Sequence, residues 1–505
     1  MVSRLIRSET ALPRLNIDLS AIAIVILGIV LALFIGLIAS SGNVVYGAVV
    51  AGVLGGSLLL ARPWWMVSAL VGIVFVAHGA VQFFTGFGQL QWIASMLGMA
   101  LMLIWGFMAM GQRQPEMASG LTPVIAAGFV FMSIMTLSSF ANGIPFMQGV
   151  VGFRAYVPFW GAFLFLSTQT RDLLTWRRVF VGLVIVALIQ WPVELYQKLF
   201  VVSARSAAGY FGSAFDSIVG TFGGAMFGGG ESGSLAVFLA VFIVIATALR
   251  KERHIPRWLY LLLALSILVS VGLCETKIVF FLVPVGFGWI YRAYVVRHPG
   301  KFLLGAAIAG ILLAGLVTVY YKLHYEETAR NVDPIALVQQ RFLYAFDPSA
   351  MPAANWPGRV TGLVIWYHHH DSLSDSFRTL FGHGAGSSLS SSSLIVSGDA
   401  SKRYGVGLDV TGATKLLWES GLFGLLAFLS ISLVGFIQSG RLASSEAVPA
   451  QHRAGLKGVQ AALPLIGVAI FYEATAVSSP PMQLTFLLLL AYVDFWYRRV
   501  KGATG

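Results

Sequence analysis

Between Tyr321 and Val410 the chain gathers side chains suited to binding an anion and moving a proton. It holds Arg330, Arg341, Arg359 and Arg378, the run His368-His369-His370, then Phe381-Gly382-His383-Gly384-Ala385-Gly386, Asp399 and Asp409. Guanidinium groups present donors in a fixed fork that matches phosphate oxygens, and beside a low-dielectric layer that match supplies geometry and charge compensation together. Arg154, Arg205 and Lys277 add basic groups elsewhere. As a set these cations suit a diphosphate carried on a lipid, although each could equally serve as a solvated charge, a headgroup contact or half of an ion pair.

Acids and histidines supply candidate bases. Glu194, Glu275, Glu419 and Glu473 fall within or beside apolar stretches, where an ionised carboxylate is costly unless paired, hydrated or turned inward. Asp399, Asp409, Glu419, His370 or His383 could each accept the proton of a sugar hydroxyl. Consecutive residues on a helix point in different directions, so His368 to His370 cannot converge on one ion, and no zincin or ordered His/Cys spacing accompanies them. No metal site is expected. The Gly382 to Gly386 turn lacks the preceding strand and the residue order of a P-loop, which argues against ATP and dinucleotide chemistry. Trp356, Trp366 and Tyr367 could stack on sugar faces or anchor the segment at a membrane interface.

The elements that must carry these residues are apolar. Of 505 residues 57% are hydrophobic and 11% charged, a balance that leaves too little polar surface for a water-soluble single core. Candidate spans fall at 20–40, 43–61, 65–84, 92–110, 119–139, 149–168, 175–196, 232–249, 257–273, 276–292, 301–320, 411–437, 459–476 and 480–497. The expected fold is therefore an all-α polytopic integral membrane protein of about fourteen transmembrane helices, with one large extracytoplasmic loop. It divides into 1–144 (N-terminal helices), 145–320 (a central region with an outer loop at about 197–231), 321–410 (the large loop) and 411–505 (C-terminal helices). The close pair around Cys274 to Lys277 could instead be one broken or re-entrant helix.

Charge placement orients the chain. The net charge is +12, and its Lys and Arg cluster in alternate connectors such as Arg4, Arg7 and Arg14, then Arg177 and Arg178, Arg250 to Arg257, and Arg498 to Lys501. By the positive-inside rule these face the cytoplasm, both termini with them, and 197–231 and 321–410 face outward. That is orientation, not a nucleic-acid footprint. The first apolar run lacks a small-residue cleavage site and reads as a first transmembrane helix. The one cysteine, Cys274, excludes an intrachain disulfide and a four-thiolate site.

Four pieces of sequence carry a resemblance. In Gly152-Phe153-Arg154-Ala155-Tyr156, Pro357-Gly358-Arg359, Leu380-Phe381-Gly382-His383-Gly384-Ala385-Gly386 and Leu416-Leu417-Trp418-Glu419-Ser420-Gly421-Leu422-Phe423-Gly424, over about 145–437, the chain resembles the O-antigen polymerase and O-antigen ligase superfamily. The resemblance implies a bacterial inner-membrane enzyme with a large periplasmic loop. It implies transfer of a glycan from undecaprenyl diphosphate without a nucleotide sugar, a cofactor or an obligatory metal. Arg154 and Arg359 would position the diphosphate-linked donor, and the Gly382 to Gly386 turn would shape the cavity. Partners would be undecaprenyl-diphosphate-linked oligosaccharides, membrane lipids and a polysaccharide chain-length regulator.

Two departures favour one branch. Ligase-like members place a histidine shortly before the final Glu-Gly helix, where this chain has Asp409-Val410-Thr411, and a Ser-Arg helix start appears here as Glu275-Thr276-Lys277. A polymerase of capsule, exopolysaccharide or O-antigen repeats is the preferred expectation. A ligase-like transferase, a lipid-linked saccharide transporter and a noncatalytic assembly subunit are the alternatives.

Overall fold

The computed structural model describes residues 62–85, 90–111, 120–170, 173–207, 217–224, 231–274, 276–305, 307–308, 310–311, 315, 346–351, 355–370, 376–390 and 397–504. Residues 67–505 form one compact unit. Of residues 1–66 the structure describes only Arg62 to Met66, the last four of which open the helix Pro63–Gly72. Among the described residues the regular structure is helical, as it must be where no water can satisfy backbone N–H and C=O groups.

Six of the described helices are long and apolar enough to cross a membrane: Pro63–Phe84, Leu90–Met110, Pro123–Ala141, Leu173–Arg205, Ser232–Lys251 and Gly412–Ala443. Each coincides with an expected span. The spans expected at 20–40 and 43–61, and half of 301–320, lie outside the described residues. The span expected at 149–168 is divided into Phe146–Arg154 and Trp160–Gln169. Pro158 explains the division, because it has no N–H to return to the Arg154 carbonyl one turn earlier. Arg257–Leu273 and Val279–Ile290 are separate helices on either side of Cys274. At 1.5 Å per residue the latter is only about 18 Å long, well short of a bilayer core.

Ser232–Lys251 is apolar on every side and correspondingly enclosed, with Leu235 to Val241 all essentially inaccessible. It packs against Ala450–Ala469, Val279–Ile290 and Arg257–Leu273. The start of Gly412–Ala443 is fixed by a reciprocal cap: the Thr414 N–H donates to Thr411 Oγ1 at 3.1 Å and the Thr411 N–H to Thr414 Oγ1 at 2.9 Å.

That last helix is broken. Gly421 takes φ 68° and ψ −167° in its middle, a conformation open to glycine and strained for other residues. A Cβ on Gly421 would stand 2.3 Å from the Leu380 carbonyl carbon and oxygen, and one on Gly382 would stand 2.5 Å from the Ser420 nitrogen. The break and the turn after the short helix Ser376–Phe381 therefore interlock backbone against backbone. Described parts of the expected 321–410 loop thus pack into the membrane helices: Ser376–Phe381 lies on both Gly412–Ala443 and Pro123–Ala141.

A second irregular segment, Ser217 to Gly224, is buried throughout although it is not helical. Side chains satisfy its backbone. Gln197 Oε1 accepts the Val219 and Gly220 N–H groups at 2.9 Å each, and Gln190 Oε1 accepts that of Thr221 at 2.9 Å. The Thr221 hydroxyl donates to the Phe75 carbonyl within the π-helical turn Ile73–Ala77. Non-helical backbone at this depth is tolerated only with such partners.

Candidate functional site

Two polar centres emerge. The first is built where the Gly412–Ala443 helix breaks. A helix end leaves carbonyls without donors, and the glycine turn supplies them: the His383 N–H donates to the Trp418 carbonyl at 2.8 Å and the Gly384 N–H to the Glu419 carbonyl at 2.9 Å. Ser138 Oγ reaches the same Glu419 carbonyl at 3.0 Å. The Glu419 side chain is wholly buried. It accepts the Tyr156 hydroxyl at 2.8 Å, the Ser388 hydroxyl at 2.7 Å and the Gly386 backbone N–H. Lys415, one turn earlier and 3% exposed, lies within its electrostatic reach. In this pair Tyr156 is the donor.

His370 and His383 meet in this centre, with Nε2 to Nε2 at 3.2 Å. His370 Nδ1 is 2.8 Å from the Trp366 carbonyl, which can only accept, so Nδ1 carries a proton, and in the neutral ring Nε2 accepts from His383. Trp366 stacks on His370 with ring centroids 5.0 Å apart, and Trp418 packs edge-on at 4.9 Å. His368 and His369 are exposed, in keeping with the helical divergence of the three.

The second centre surrounds the start of Ser232–Lys251. Arg154 ends the helix Phe146–Arg154, donates from Nη1 to Gln91 Oε1 at 2.8 Å and lies over the Trp92 ring at 4.9 Å. Its Nε is buried without a partner. Glu231, which precedes the Ser232–Lys251 helix, and His78 both feel the Arg154 charge. Glu231 accepts from the Ser479 hydroxyl. Burial raises its carboxyl to about 8, with Glu473 adding to the rise, while the Ser479 hydrogen bond and Arg154 oppose it. Arg359 joins through the segment around Tyr472: its Nε donates to the Tyr472 carbonyl at 2.7 Å and its guanidinium lies 3.9 Å from that ring's centroid. Glu473, next along, accepts from Thr475 Oγ1 at 3.0 Å, and its carbonyl accepts the Gly412 N–H at 3.1 Å. The base of the broken helix is thereby tied to the arginine-bearing segment.

A small apolar crevice is lined chiefly by Phe131, Trp160, Phe428, Phe486 and Leu487, with Tyr156 and Gln483 as its polar members. Tyr156 belongs to both crevice and Glu419 centre, two residues beyond Arg154.

The remaining predicted residues are dispersed. Asp409 Oδ2 is 3.4 Å from the Ser390 N–H and hydroxyl, and its Oδ1 is buried without a partner. Asp399 is exposed and 3.9 Å from Lys402, while its backbone N–H donates to Gln148 Oε1 at 3.0 Å. Arg378 Nε approaches Asn142 Oδ1 at 3.5 Å. Arg205 is 2% exposed at the end of the Leu173–Arg205 span, and Lys277 is partly buried in the turn after Cys274. Arg341 lies outside the described residues. Among those described, no three His, Cys, Asp or Glu side chains are grouped to hold a metal ion.

Sequence reasoning passed over His78, Gln91, Glu231, Tyr472, Lys415 and the partnership of Tyr156 with Glu419. Glu231 alone left a readable mark: an acid at the head of an otherwise unbroken apolar helix. Neither a family model nor a curated protein matches this chain.

Proposed function

We propose that this protein polymerises undecaprenyl-diphosphate-linked polysaccharide repeat units at the periplasmic face of a bacterial inner membrane. In this reading about fourteen helices span the membrane, both termini are cytoplasmic and the 321–410 region faces the periplasm. The observation that carries it is Arg154, held by Gln91 and Trp92 with a buried N–H to spare, immediately before residues that line an apolar crevice. An anchored cation beside an apolar crevice fits an anion attached to a lipid tail.

Arg154 and Arg359 hold the diphosphate of the growing chain, and Arg205, Lys277, Arg341 and Arg378 are the further basic groups of this assignment. A hydroxyl of a second lipid-linked repeat attacks the anomeric carbon. The new glycosidic bond forms as the bond to the diphosphate oxygen breaks, and undecaprenyl diphosphate leaves with the electron pair while the cations stabilise its charge. The acceptor proton passes to a carboxylate or imidazole drawn from Asp409, Asp399, His383, His370 and Glu419. Asp409 is favoured by its unpartnered Oδ1, and Glu419 is disfavoured because three donors already occupy it. No nucleotide sugar or metal enters the reaction, and a chain-length regulator is the partner this reading calls for.

A lipid-linked saccharide transporter is the second reading, favoured by the broken helix at Gly421 and the buried irregular segment Ser217 to Gly224. Reconstitution with purified undecaprenyl-diphosphate-linked repeats separates them. Polymerisation gives longer lipid-linked glycans with one carrier released per bond, and the reading fails if unchanged glycans cross proteoliposomes with no carrier released.

A further inference from the structure

The Leu173–Tyr196 helix and the π-helical turn that continues it place Gln190, Glu194 and Gln197 at intervals of four and three residues, hence along one face. All three are buried. The two amides clamp the irregular segment Ser217 to Gly224: beyond the contacts already given, Gln197 Nε2 donates to the Gly220 carbonyl and Gln190 Nε2 to Thr221 Oγ1, each at 2.9 Å. The carboxyl between them takes no part in the clamp. Glu194 Oε1 accepts the Ser270 hydroxyl from the neighbouring Arg257–Leu273 helix, while Oε2 is buried with no partner. Ser266, one turn before Ser270 on the same face, likewise has a buried hydroxyl without a partner.

No Lys or Arg pairs with Glu194 among the described residues. An ionised carboxylate cannot stand alone at membrane depth, and two orphaned oxygens on facing helices call for a positive partner between or upon them. The backbone is loosened at the same level. Pro192 has no N–H to return to the Leu188 carbonyl, and the chain widens into π-helical turns at Gln197–Val202. Loosened carbonyls beside an intramembrane acid are the means by which helices hold protons and sodium ions.

We propose that Glu194 is the centre of an exchangeable monovalent cation site, taking H+ or Na+, with Ser266 and Ser270 as its hydroxyl neighbours. This goes beyond the glycan chemistry and does not depend on it. The titratable group facing Glu194 from a packed element among the described residues is the Cys274 thiol, which burial and then the Glu194 charge push upward, keeping it protonated. Occupancy would bear on the Gln190 and Gln197 clamp. Near the end of the clamped segment the Gly223 carbonyl accepts the Glu231 N–H at 3.0 Å, so the cation state is mechanically linked to the Arg154 centre.

Infrared difference spectra of the full chain in proteoliposomes test this without reference to polymerisation. The probe is the carboxylic C=O band that is present in wild type and lost in Glu194→Gln, followed against pH at constant K+ and against added Na+ at constant pH. Loss of the band with rising pH alone assigns a proton. Loss on adding Na+ at fixed pH, reversed by its removal, assigns a sodium site. The proposal is overturned if the band is absent from wild type, or is unmoved by both pH and Na+. Ser270→Ala covers misfolding of the Gln variant: it retains the carboxyl, and its C=O band must shift in frequency as the hydroxyl partner is lost.

Discussion

The Tyr156 hydroxyl donates to Glu419 Oε2 across 2.8 Å, joining two residues 263 positions apart. Ser388 holds the other carboxylate oxygen at 2.7 Å, so one side chain at a helix break fastens both the glycine turn and the segment after Arg154. Phe131 packs edge-on against Tyr156 with ring centroids 5.6 Å apart. Tyr156→Phe should keep that packing and lose one charge-assisted hydrogen bond, lowering stability by about 1.5–3 kcal/mol. Combined with Ser388→Ala, the loss should depart from the sum of the single losses, because both hydroxyls serve one carboxylate. Detergent-phase unfolding of the four proteins gives the cycle. Strict additivity would contradict a shared role.

Gly421→Ala should destabilise the protein by at least about 2 kcal/mol, since it places a Cβ at left-handed φ and drives it into the Leu380 carbonyl. Gly272→Ala, where nothing lies within 4 Å of the added methyl, is the control. Equal melting temperatures for the two variants would mean that the helix is not broken at Gly421.

Arg359→Lys retains charge but loses the Nε donor to Tyr472 and the flat stacking surface. A reduction in polymerisation on the order of tenfold or more is expected, with normal expression. Tyr472→Phe keeps both the ring and the backbone carbonyl and should stay close to wild type. A Lys variant as active as wild type would remove Arg359 from the diphosphate role.

The Glu231 carboxyl titrates at about 8 instead of 4.5, so the folded state holds a proton that the unfolded chain releases. Stability from this group is therefore complete below pH 4.5, declines as pH rises toward 8 and is lost above it. Relative to Glu231→Gln, the wild-type melting temperature should fall across that window and level off beyond it. A pH-independent difference between the two proteins would place the titration elsewhere.

Much of the architecture was legible in the residues themselves. Apolar runs of near-bilayer length dictate helices, because a backbone without water must satisfy its own hydrogen bonds. The six described helices long and apolar enough to cross a membrane all fall on expected spans. Among the expected spans not matched in that way, the division at 149–168 turns on Pro158, whose effect is local and was readable. Arg154 and Arg359 were singled out by the resemblance, and the glycine turn by its residue types.

What the sequence by itself determined, then, is where the chain is helical and which side chains are out of place in an apolar setting. Only the tertiary structure decided which of them meet. Arg154 finds Gln91 63 positions away, Arg359 finds Tyr472 113 away, and Glu194 finds Ser270 76 away. Local pattern specifies a helix through bonds four residues apart, whereas these pairings depend on how helices pack and on breaks such as Gly421 that bring backbone to backbone. Nothing in the neighbourhood of a residue encodes the identity of a partner brought to it by the packing of other helices.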